Sequence, residues 1–81
     1  MEFSRVAAVA ADTSDPKAGL RAVASLRVLA DAWELRQVEA ALRSGMTWQE
    51  IADALGVTRQ AAHKKHAKRV DPTILNPRRT T

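Results

Sequence analysis

Between Pro16 and Gly45 nothing in the sequence stops a helix, and that one stretch takes up more than a third of the 81 residues. Asp15 is a natural N-cap, and Pro16 stands at the first helical position, where its missing N–H costs nothing. Gly19 is the weak point inside, and Gly45 follows as a C′ residue does. The result is a helix of roughly 28 residues, about 42 Å long at 1.5 Å per residue.

A helix of that length must cover its apolar residues, and here they do not form one stripe. At about 100° per residue, Leu20, Val28, Leu35, Val38 and Leu42 gather on one face. Ala22, Val23, Leu26, Leu29, Ala30 and Trp33 gather on a second, roughly opposite one. The first face is expected to pack, through its C-terminal half, on the elements that follow. The second is expected to meet another copy of the chain, with Leu26, Leu29 and Trp33 at a homodimer interface, since small helical chains commonly complete their cores by pairing. The alternative cover is a short helix over residues 3–11, where Phe3, Val6, Ala7 and Ala10 repeat at helical spacing.

The expected organisation is all-α and a single domain. Residues 1–14 form an N-terminal arm or short helix, and 15–45 the long helix. Residues 46–71 form a compact helical pair, and 72–81 a basic, extended tail. Thr47 and Glu50 make a capping box opening the first helix of the pair, with Met46 as the apolar residue of a hydrophobic staple. Gly56 supplies a tight turn through positive φ. Thr58 caps the second helix, which is expected to run over 58–69 until Asp71-Pro72 stops it. Ala52 is small where the two helices cross, and Ile51, Leu55, Val57 and Ala62 are the apolar contacts expected to hold the crossing.

Charge singles out the same region. Residues 1–46 carry six basic and six acidic side chains, whereas 47–81 carry seven basic against three acidic, so the whole net charge of +4 lies in the second half. No acid stands between Arg59 and Arg69. Such an asymmetry is the footprint of a surface for a polyanion.

The run Thr47-Trp48-Gln49-Glu50-Ile51-Ala52 through Gly56, Thr58 and Ala62 to His66 resembles the bacterial helix-turn-helix of repressors and of the promoter-contacting region of sigma factors. With Asp15-Pro16 and the long helix before it, the chain is similar to small actinobacterial helix-turn-helix proteins. The resemblance implies a DNA-binding regulator whose second helix enters the major groove, with its N-terminal residues on base edges. Arg59, Gln60, His63 and Lys64 are then the base contacts. Arginine can pair bidentately with guanine and glutamine with adenine. Thr47, Gln49, Thr58, Lys65, Lys68 and Arg69 are the expected phosphate contacts. Lys65 departs from the pattern, because repressors usually carry an apolar anchor there, and Ala62 is smaller than the usual valine or isoleucine. The recognition helix is therefore expected to lean more on the long helix, or to be held less firmly before DNA arrives.

Other chemistries find little support. His63 and His66 stand three apart, but no Asp, Glu or Cys completes a metal set beside them. Trp48 reads as a packing residue between helices. Pro77-Arg78-Arg79 is too short to read as a minor-groove arm. No cysteine is present, no serine has a histidine or acid at telling spacing, and no glycine-rich phosphate loop occurs, so neither an enzyme nor a cofactor is expected. The Val6–Ala11 stretch is too short for a signal peptide or a membrane span. The expected partners are double-stranded DNA and a second copy, with no membrane or small-molecule ligand, and the expected location is the cytoplasm, at the nucleoid. A homodimeric, sequence-specific regulator is the leading expectation. A nucleoid or accessory factor of weak sequence preference and a protein-interaction module are the alternatives.

Overall fold

The computed structural model describes residues 2–75, and every regular element among them is a helix. In chain order these are α1 (Phe3–Ala11), α2 (Pro16–Arg43), α3 (Trp48–Leu55), α4 (Arg59–His66) and α5 (Pro72–Leu75). The all-α expectation, with a short helix, a long helix and a helix-turn-helix, is what the chain adopts. The Pro77-Arg78-Arg79 segment lies outside the described residues. None of the described helices is long and apolar enough to cross a membrane.

Each boundary has a local cause. The Asp15 carboxylate accepts the Ala18 N–H at 3.3 Å and caps α2. At the other end the Gly45 N–H donates to the Leu42 carbonyl and the Met46 N–H to the Ala41 carbonyl, with Gly45 at φ 92°. That pair of bonds is the Schellman closure, and it turns Met46 onto the core. The same closure ends α3. Gly56, at φ 73°, donates to Asp53 and Val57 donates to Ala52. A Cβ at Gly56 would meet nothing within 4 Å, so glycine is required there for its backbone angle rather than for space.

The chain divides into two compact units, the first ending at Trp33 and the second beginning at Glu34, so α2 contributes to both. In the first unit α1 lies on the N-terminal part of α2. Val6 and Ala22 are buried, and the Phe3 and Trp33 rings stand 5.8 Å apart at a tilt of 50°. Leu26 and Leu29 are half-buried. The face assigned from sequence to a second copy therefore has cover from the chain's own first helix, the alternative considered for it. On the other side Leu20 and Val28 remain 70% and 71% exposed, so the first apolar face is covered only further along.

The second unit is built around Val38, Ile51 and Val70, with Leu35, Leu42, Met46, Trp48 and Ile74 packed against them. Two expectations are corrected here. The second helix of the pair was expected over 58–69, but α4 ends at His66, and residues 67–69 form a turn. The physical reason is Val70. The Arg69 and Val70 N–H groups both fold back to the His66 carbonyl, and this tight closure brings Val70 into the core at 3% exposure. The chain beyond was expected to be extended, yet Pro72–Leu75 form a helical turn. Asp71 caps it by accepting the Thr73 N–H and Oγ1 at 3.0 and 2.9 Å, and Ile74 reaches the core. Those bonds, together with the charge of Arg43, hold the Asp71 carboxyl below the usual range against a small opposing effect of burial.

Candidate nucleic-acid interface

Both helix starts of the α3–α4 pair are capped as expected. The Thr47 Oγ1 accepts the Glu50 N–H at 3.1 Å, and Glu50 accepts the Thr47 N–H at 3.0 Å. Thr58 accepts the Ala61 N–H at 3.1 Å. Ala52 and Ala62, at 0% and 2% exposure, fill the helix crossing with Ile51 beside them. Leu55 and Val57 do not join them. They keep 38% and 45% exposure and instead line a small cavity of about 100 Å³ next to Ala62 and His66. Two alanines bring the helices close enough that the larger side chains flanking Gly56 stay at the edge.

The N-terminal part of α4 gathers four of the predicted residues into one place. Arg59, Gln60, His63 and Lys64, together with the cap residue Thr58, line a single open concavity of about 730 Å³. All five are exposed. Arg59, Gln60, His63 and Lys64 are the residues assigned to base edges from sequence, and they lie within two turns at the start of α4. The His63 ring stands edge-on to Trp48, with centroids 5.0 Å apart and an interplanar angle of 71°. Trp48 thus packs between helices as its position implied, and it also orients His63.

The expected phosphate contacts divide. Thr47 and Thr58 cap the two helices and remain exposed. The Gln49 amide donates to Asp53 at 2.8 Å, which ties it along α3. Lys68 and Arg69 lie in the turn after α4, not on the helix. Lys65 is the informative departure. Its Nζ stands 3.0 Å from the Glu34 carboxylate on α2, so the position that takes an apolar anchor in repressors holds an ion pair to the long helix instead.

His66 completes that anchor and was not foreseen from sequence. Among the described residues it is the largest fully buried side chain, at 0% exposure, and its Nε2 donates to the same Glu34 oxygen. Its Nδ1 is buried without a partner. The Nε2 atom is the donor in the bond to Glu34 because a carboxylate oxygen accepts. One signal was available: His66 falls one turn beyond the buried Ala62, on the same face of α4. The two histidines do not share a site, and no cluster of three or more metal-ligating side chains occurs among the described residues.

Partial burial favours the protonated form of Glu34, but hydrogen bonds from Lys65 and His66 and the positive charge beside it prevail, so its carboxyl sits below the usual range. A carboxyl depressed on folding stabilises the fold above its unfolded pKa, about 4.3, and that contribution is lost as pH falls through the folded value. An acid titration of the second unit, followed by Trp48 fluorescence in a Trp33→Phe background, is therefore expected to show stability falling below about pH 4. Glu34→Gln is expected to flatten that part of the curve.

No family model matches this chain, and no solved structure does. Uncharacterized proteins of Mycobacterium bovis and of two Mycobacterium tuberculosis strains are each 44% identical to it over 39 residues. That match takes in 48% of this chain but only 16% of theirs, so the similarity covers about a sixth of those relatives' length.

Proposed function

We propose that this chain is a sequence-specific DNA-binding regulator that acts as a homodimer and presents α4 to the major groove. The observation that carries the reading is the concavity of Thr58, Arg59, Gln60, His63 and Lys64 at the start of a capped helix. Its side chains offer bidentate donors, and no acid lies between Arg59 and Arg69 to oppose a polyanion. An α-helix with its side chains is about 10–12 Å across, which matches the roughly 12 Å width of the major groove. Glu34 supports the same reading. By taking the charge of Lys65 and the Nε2–H of His66, it fixes the far end of α4 and leaves the near end for a ligand.

The test is selection from a random pool of duplex fragments at two salt concentrations. A recurring motif that survives the higher salt is the expected result. Binding that is strong at low salt, unselective, and lost at high salt would indicate a coating protein of weak preference. Absence of binding even at low salt would end the DNA reading.

A further inference from the structure

The side of α2 opposite α1 carries a pattern with its own two-fold logic. Lys17, Leu20, Ala24, Val28 and Asp31 fall within about 40° of one line along the helix at 100° per residue. Ala22 and Trp33, which meet α1, lie roughly 160° to 180° away on the same wheel. Lys17, Leu20, Ala24 and Val28 are all exposed, and Leu20 and Val28 are the most exposed large apolar residues described. The stripe is symmetric about Ala24: the two apolar residues stand four positions either side, and opposite charges stand seven positions either side.

We propose that this stripe is where a second copy of the chain docks, antiparallel, with Ala24 against Ala24 on the two-fold axis. In that register Leu20 of one copy packs on Val28 of the other, and Lys17 meets Asp31, twice over by symmetry. Small residues at the centre let the two backbones approach closely. Parallel, in-register pairing brings Lys17 against Lys17 and Asp31 against Asp31, so charge selects the antiparallel arrangement. Arg21 and Arg27 flank the stripe on opposite sides and do not face each other across this axis. The seam spans about four turns and is short, so pairing depends on concentration. The inference deepens the homodimer part of the proposed function, and it moves the contact from Leu26, Leu29 and Trp33 to the opposite face.

The absence of cysteine makes a clean cross-linking test available without DNA. Two residues meeting on the axis lie within disulfide reach. Ala24→Cys, oxidised with diamide, is therefore expected to convert to a covalent dimer. Ala30→Cys, exposed on the same helix but about 120° off the stripe, is expected to remain mostly monomeric. No linkage at 24, or equal linkage at both, overturns the proposal. Circular dichroism of both variants establishes that they fold. Sedimentation supplies a second arm: Lys17→Glu is expected to weaken self-association at least several-fold, and Lys17→Glu with Asp31→Lys to recover it. Asp31 also interacts within its own chain, so the recovery is the readout, and its absence contradicts the register. Because neither arm uses DNA, failure here leaves the DNA reading standing, and failure of the DNA reading leaves this result intact.

Discussion

His66→Ala is expected to lower the stability of the second unit by about 3 to 4 kcal/mol. The side chain is wholly buried, so its removal leaves a void that the close Ala52–Ala62 crossing cannot collapse to fill. It also takes away one of two donors that hold Glu34, although Lys65 remains. Against a total of 5 to 15 kcal/mol for ordinary domains, a loss of this size populates the unfolded form measurably. Urea unfolding followed by Trp48 in a Trp33→Phe background reads it directly. With a slope of about 1 kcal/mol per molar urea, the midpoint is expected to fall by roughly 3 M. His66→Phe separates the two contributions, because it restores volume, removes the unpartnered Nδ1 and offers nothing to Glu34. Its expected cost is about 1 kcal/mol. If phenylalanine proves as damaging as alanine, packing is not what His66 chiefly contributes.

Arg59→Ala is expected to have the largest effect on DNA. Loss of a bidentate base contact costs about 1 to 3 kcal/mol, a roughly 5- to 150-fold drop in affinity, and relaxes selection at one base position. Loss of a phosphate contact instead weakens all sequences equally and lowers the salt slope by about one. Comparing the selected motif and the salt slope of Arg59→Ala with those of the parent protein distinguishes the two roles. Arg5→Ala, on α1, is the control and is expected to change neither.

Most of the fold was legible because its boundaries are local. Asp15-Pro16, Gly45, the Thr47–Glu50 box, Gly56 and Thr58 each act within a few residues, and each forms the bonds its type implies. The residues brought to the start of α4 were legible for the same reason, since consecutive turns of one helix decide which side chains share a surface. What sequence concealed depends on partners far along the chain. Glu34 and His66 are 32 positions apart, and nothing near either one marks the other. Val70 carried no local mark of burial, yet that burial ends α4 before the expected residue 69 and makes Lys68 and Arg69 turn residues rather than helix-face charges. Lys65 looked like a weakness in the motif because its compensating carboxylate lies on another helix. The N-terminal half of α2 was legible in part: its two apolar faces were visible, but whether residues 3–11 or another copy would meet the second depended on packing, not on pattern.

The start of α4 is the surface expected to meet DNA. The most direct measurement is the change in backbone amide resonances as a short duplex of random sequence is added at low salt. The largest shifts are predicted at Thr58, Arg59, Gln60, His63 and Lys64, diminishing together as salt is raised. Shifts absent at low salt, or concentrated on α1 and the N-terminal half of α2, would contradict that assignment.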